Sequence, residues 1–282
     1  MTGTLSAAPL IPPAVLQELN TPIMPPADVN ADFRRRGFVV LRQAFSRELI
    51  SFYRELIYTR VHELSKETRP LNERSDYNRA FLQVSNIWKH CPVVKEIVLS
   101  RRMASIVSAA LGASRVRLWD EHALYKEPGG GPTFLHTDWN YIPIVEDNVC
   151  AVWLPLQPTP RAMGALQFVE GSHRFGELHG AEVSQESDAM IRRFAQEKGL
   201  ANFATDFEEG DVSIHNVRTA HWTESNTTGR ARSALSLFYF AEGSRFTREP
   251  FGKFQEQYWD NVLGGAKNAG QVIGGDCHPL AG

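Results

Sequence analysis

TAHWTESNTTGRARSALSLFYF, residues 219–240, holds two runs of strand-forming residues on either side of NTTG at 226–229. That spacing predicts a β-hairpin around four turn residues. With those four unpaired, Ser225 faces Arg230, Thr223 faces Arg232 and His221 faces Ala234, so His221, Thr223 and Arg232 share one face. Directly opposed side chains lie ~5 Å apart and the next same-face pair ~7 Å along the strand. A small dicarboxylate fits that gap, one end chelating a metal on His221 and the other taking the Arg232 fork and the Thr223 hydroxyl. His215, which has the same parity, gives no such arrangement.

Working upstream, RVRLWDEHALYK (115–126), PTFLHTDW (132–139), VCAVWLPLQP (149–158), GALQFVEGS (164–172) and DVSIHN (211–216) are short runs broken by turn residues. With RSALSLFYFAEG (232–243) they predict a sandwich or barrel interrupted by one helix at about 184–198. GFVVLRQAF (37–45) reads as an earlier strand, and Ser46 with Glu48 opens a helix to about Leu64. A second helix is expected from Pro92 to Leu111, with proline in its first turn and Gly112 just past its end. Residues 1–28 read as a poorly ordered proline-rich arm against the body, and 29–282 as one domain.

Within FLHTDWNY (134–141), His136 and Asp138 are two apart, so on a strand they point the same way. With His221 they make two imidazoles and one carboxylate, the donor set that leaves open positions on non-haem Fe(II) in oxygenases. Zinc could use the same residues, as could a metal-free core pair with Arg232 neutralising Asp138. The arginine-bearing strand favours iron, because a zinc hydrolase or isomerase has no need of a second-carboxylate site. A catalytically silent binder on the same scaffold has no use for the full set. Of the other histidines, His173 reads as part of a turn and His179 as part of a glycine-flanked loop.

Thirty Lys and Arg against 32 Asp and Glu give a net charge of -2, without the basic field that nucleic acid or an anionic membrane would need. A small-molecule substrate is expected, with no nucleic acid and no membrane. The three cysteines lie outside any CxxC pattern, and the N-terminus has no basic start, so a cytoplasmic location is expected. The glycine run at 129–131 lacks the Lys-Ser/Thr of a phosphate loop and reads as a flexible loop.

From about Ala31 to Glu242 the chain resembles the phytanoyl-CoA dioxygenase family of Fe(II)/2-oxoglutarate oxygenases. GFVVLRQAF resembles its opening strand, YKEPGGGPTFLHTDW its metal-binding strand and lead-in, VCAVWLPLQP and GALQFVEGSH its central strands. The closing pattern GD…H…H.T..N…R.R is also similar. The resemblance implies a mainly β protein with flanking helices, a double-stranded β-helix (jelly roll, cupin-like). It implies Fe(II) held by His136, Asp138 and His221, and 2-oxoglutarate held by Arg232 and Thr223, with Lys126 and Trp153 beside it. It further implies that O2 is a cosubstrate and that the product is an oxidised, commonly hydroxylated, small organic molecule such as a lipid-like acid or terpenoid. Related halogenases replace the carboxylate with a small residue, so Asp138 favours hydroxylation or another oxidation. Trp139, Asn140 and Tyr141 follow the ligand pair and are candidates for the substrate pocket.

Overall fold

The strand Arg232–Ala241 has two buried faces. Leu235, Leu237 and Tyr239 enter one apolar core, while Ala234, Phe238 and Phe240 enter others on the opposite side. A strand buried on both faces needs this near-continuous apolar run. The computed structural model describes residues 5–178, 183–246 and 270–282.

The strands are β1 (Phe38–Leu41), β2 (Leu82–Ser85), β3 (Val116–Lys126), β4 (Thr133–His136), β5 (Val149–Pro155), β6 (Leu166–Val169), β7 (Asn202–Phe203), β8 (Val212–Asn216), β9 (His221–Thr223), β10 (Arg232–Ala241) and β11 (Leu280–Ala281). One antiparallel sheet runs β1-β8-β5-β10-β3-β11, with β2 also on β3, and a second runs β4-β9-β6-β7. This is the expected jelly roll, and its two sheets enclose the site described below.

The expected hairpin does not form. β9 pairs with β4 and β6, placing His221 opposite His136 and Phe168, whereas β10 pairs with β3 and β5. Asn226 explains the difference. It is buried, donates its side-chain amide to the carbonyls of Glu127 at 3.1 Å and Arg230 at 2.7 Å, and exchanges backbone hydrogen bonds with Gly129 and Gly130. A segment anchored in this way carries the chain from one sheet to the other instead of turning it back on itself.

The helices are α1 (Pro13–Asn20), α2 (Val29–Arg36), α3 (Arg47–Leu64), α4 (Asp76–Ala80), α5 (Pro92–Val98), α6 (Arg101–Leu111) and α7 (Gln185–Glu197). Ser46 caps α3 by accepting from the Leu49 amide, and Ser184 caps α7 through a reciprocal capping box. The helix expected over 92–111 is two helices, because Ser100 accepts from the Met103 amide and starts α6 afresh. Gly112 ends α6 at φ 67, as its position predicted. The arm is not irregular throughout, since α1 buries Val15 and Leu19 in the same core as α3, α5 and α6.

That core lines the outer face of the large sheet, and α7 covers the small sheet through Ile191 and Ala195 against Leu135, Val169 and Trp222. Each fully buried aliphatic side chain contributes roughly 1.5–3 kcal/mol. Helices thus seal both outer faces and leave the space between the sheets for a site. No described helix is long and apolar enough to cross a membrane.

Candidate active site

Between the sheets lies a cavity of about 550 Å³, a size that suits a small molecule together with a cosubstrate. At one end His136, Asp138 and His221 bring one donor atom each to within 4.8 Å of one another. His136 closes β4 and His221 opens β9, as direct cross-strand partners. Asp138 is not on the strand as expected; it begins a single 3-10 turn (Asp138–Tyr141) just past it. Its carboxylate still reaches back, with Oδ1 3.6 Å from His136 Nε2 and Oδ2 3.7 Å from His221 Nε2.

Backbone carbonyls orient both rings. His136 Nδ1 lies 2.7 Å from the Phe134 oxygen and His221 Nδ1 2.9 Å from the Thr219 oxygen. A carbonyl can only accept, so each Nδ1 carries a proton, and Nε2 is the nitrogen left to present a lone pair to a metal. Burial pushes the His221 imidazole down to about 3, against the pull of Asp138. Burial works against the Asp138 charge, yet His221, His136 and His215 together hold that carboxyl well below its ordinary value. Neutral imidazoles and an ionised carboxylate are the states in which these groups bind a metal. The donor set therefore fits Fe(II).

His215, not expected among the ligands, joins the same cluster. Its Nε2 lies 3.4 Å from Asp138 Oδ2 and its ring centroid 4.5 Å from that of His221. Its position behind Asp138 makes it a support for that carboxylate. Thr133, opposite Thr223 on β4, was also missed, although its place two residues beyond the glycine run offered no chemical signal.

Arg232 lines the same cavity, is buried, and its Nε and Nη1 make no hydrogen bond to a described residue. An unpaired buried guanidinium is costly and calls for an anion. The Thr223 hydroxyl donates to Thr133 Oγ1 at 3.0 Å, and Arg232 lies 5.6 Å from the Trp153 ring centre. Trp153 and Thr223 both line the cavity. The groups inferred from a hairpin thus converge from opposite sheets.

Lys126 pairs in register with Arg232 but does not line the cavity. Its amine donates to the Gly131 carbonyl, and burial beside Arg232 lowers it to about 6. Gly130 and Gly164 lie against its stem, where a Cβ on either would come within 3.0 Å of it. The glycine run therefore packs a buried lysine and is not a free loop.

Of the residues expected in the substrate pocket, Tyr141 lines the cavity. Trp139 instead packs with Ile142 and Ile144, with the Arg218 guanidinium 3.8 Å above its ring. The Asn140 side chain and His179 lie outside the described residues.

The pattern of the family described as phytanoyl-CoA dioxygenase (PhyH) matches residues 33–234. A probable alpha-ketoglutarate-dependent hypophosphite dioxygenase from Stutzerimonas stutzeri is 25% identical over 169 residues, which cover 56% of this chain. The match spans only 57% of that relative's length. The non-haem alpha-ketoglutarate-dependent carbocyclase SnoK from nogalamycin biosynthesis superposes with a TM-score of 0.73 at 21% identity, over 93% of this chain and 100% of its own. The epimerase SnoN, solved with Fe3+, alpha ketoglutarate and nogalamycin RO, gives 0.72 at 22% identity over 95% and 99%. EctD from S. alaskensis, solved with 2-oxoglutarate and 5-hydroxyectoine, gives 0.65 at 21% identity over 89% and 88%. At these identities the structural likenesses establish the fold. Fold and donor set together define the non-haem iron, 2-oxoglutarate-dependent dioxygenases. Within that class the chain belongs to the phytanoyl-CoA dioxygenase family.

Proposed function

We propose that the protein oxidises an unactivated C–H bond of a small, uncharged organic molecule, with hydroxylation as the simplest outcome, using Fe(II), 2-oxoglutarate and O2. The observation that carries this reading is one cavity with the three-donor cluster at one end and the unpaired buried Arg232 facing the same space. His136, Asp138 and His221 hold the metal, while Arg232 and Thr223 fix the far carboxylate of 2-oxoglutarate by a charge-assisted fork and a hydroxyl. Bound iron supplies the redox chemistry that couples decarboxylation of 2-oxoglutarate to substrate oxidation.

The chain's own residues orient and shield. The carbonyls of Phe134 and Thr219 fix the Nδ1 protons and aim both imidazoles, His215 steadies Asp138, and Trp153 packs edge-on against Phe207 to close the floor. Among the described cavity residues, Arg232 is the one permanent cation and Asp138 the one carboxylate. Neither is left to bind a charged substrate, and no described basic group awaits the phosphates of a coenzyme A thioester. The three free cysteines suit a reducing cytoplasm.

Anaerobic addition of Fe(II) and 2-oxoglutarate is expected to give a visible metal-to-ligand charge-transfer band that neither gives alone. Aerobic samples should then release succinate slowly without substrate. Absence of both would return the site to the zinc hydrolase or isomerase reading.

A further inference from the structure

Much of the cavity lining is aromatic, with Tyr77, Phe81, Trp119, Tyr141 and Phe238 all facing it. One polar row interrupts it. On the large sheet Ser85 of β2, His122 of β3 and Ser236 of β10 are successive cross-strand partners, and Trp153 of β5 comes next in the same row. The row ends at Trp153, whose ring centre lies 5.6 Å from the Arg232 guanidinium.

His122 is held from two sides. Its Nδ1 lies 2.7 Å from Ser85 Oγ and 3.2 Å from the Gln83 amide nitrogen, and Tyr77 donates to Gln83 Oε1 at 2.5 Å. An amide nitrogen can only donate, so Nδ1 accepts and Nε2 carries the proton, facing Asp120 Oδ2 at 3.5 Å. That last contact is long, which leaves the Nε2 proton available to a better acceptor. Ser236 Oγ, beside it on the cavity face, makes no hydrogen bond to a described residue. A few fixed polar groups on an otherwise apolar wall are what orients a ligand in a pocket of this kind.

We propose that His122 and Ser236, with Asp120 behind the imidazole, form the orienting anchor for the substrate, binding a hydroxyl or carbonyl oxygen on an uncharged, ring-bearing molecule. The aromatic wall takes the ring faces, the row takes the oxygen, and the carbon to be oxidised is thereby set toward the three-donor cluster. This inference rests on the oxygenase reading of the same cavity.

The test uses two fluorescent probes of similar shape, 2-naphthol and 2-methylnaphthalene, titrated anaerobically into protein loaded with Fe(II) and 2-oxoglutarate. His122→Phe and Ser236→Ala are each expected to weaken 2-naphthol about fivefold to tenfold, the effect of one lost hydrogen bond. Either variant should change 2-methylnaphthalene less than twofold. Equal losses for both probes, an unchanged affinity for 2-naphthol, or no saturable binding of either to wild type would overturn the anchor. The charge-transfer band in the same samples separates the two claims: its absence tells against the iron and 2-oxoglutarate reading, whereas an intact band without discrimination tells against the anchor alone.

Discussion

His221 and Arg232 face one cavity from opposite sheets. His221 starts β9, hydrogen-bonded to β4 and β6, and Arg232 starts β10, hydrogen-bonded to β3 and β5. Their separation is set by how the sheets pack, not by a step along a shared ribbon. Arg230, by contrast, is exposed outside the strand.

Arg232→Ala is therefore expected to weaken 2-oxoglutarate roughly tenfold to a hundredfold, because a charge-assisted bond contributes about 1.5–3 kcal/mol. Thr223→Val should give a smaller loss, and Arg230→Ala less than a twofold change. Titrating the anaerobic charge-transfer band with 2-oxoglutarate measures all three. A large defect in Arg230→Ala beside a normal Arg232→Ala would refute the cosubstrate site.

His136→Ala, Asp138→Ala and His221→Ala each remove a donor and should lose stoichiometric iron on desalting. His215→Ala keeps the three donors and removes only the support behind Asp138, so iron should remain with about tenfold weaker affinity. Iron content across a chelator series distinguishes them, and loss of iron in His215→Ala with retention in His221→Ala would reverse the two roles.

Glu121 lies on the helix-facing side of β3, fully buried, with Oε2 accepting from the Trp88 amide at 3.1 Å and Oε1 without a partner among described residues. Burial raises its carboxyl from 4.5 to about 8. The folded state then holds a proton that the unfolded chain has lost, so this contribution is fully present below about pH 4.5 and disappears as pH rises through 8. Glu121→Gln is expected to flatten the alkaline fall in stability and to gain on the order of 1–3 kcal/mol at pH 8.5. Urea unfolding of both proteins at pH 6 and 8.5 checks this; an equal pH slope in the two would show that another group is responsible.

Gly164 has φ +86, and a Cβ there would lie 3.0 Å from the Glu224 carbonyl and 3.0 Å from Lys126 Cδ. Gly164→Ala is expected to cost about 1–3 kcal/mol. Gly229→Ala, whose Cβ would meet nothing within 4 Å, serves as the control and should be close to neutral. Thermal melts of the pair report the difference, and equal melting temperatures would remove the packing role assigned to Gly164.

Period-two runs made the strands legible, and serine caps and glycine ends made most helices legible, because both signals are local. Trp119 shows where locality failed: a register shift opposite Phe238 and Tyr239 turns this residue toward the cavity, out of the alternation that the rest of β3 keeps. The hairpin misreading has the same origin. NTTG looks like a turn, but the buried Asn226 is committed to carbonyls and amides about a hundred residues earlier, which no window of sequence displays. His136, Asp138, His221, Thr223 and Arg232 nonetheless line one cavity, as the sequence led one to expect, since donor chemistry narrows the candidates even when the route between them is wrong. Trp139 was misassigned because an aromatic beside a ligand looks the same in sequence whether it packs against the core or against a substrate.

Because His136 and His221 ride on one sheet and Arg232 on the other, the spacing between sheets would act as a calliper on a 2-oxoglutarate held between them as proposed. Facing sheets stand about 10 Å apart, and bulk between them decides how far. Leu166 of β6 and Trp153 of β5 are jaws of that calliper, one on each sheet, both lining the cavity. Trimming Leu166 should let 2-oxoadipate, one methylene longer than 2-oxoglutarate, compete better than it does in the native enzyme, so that a residue touching neither carboxylate sets which diacid is accepted.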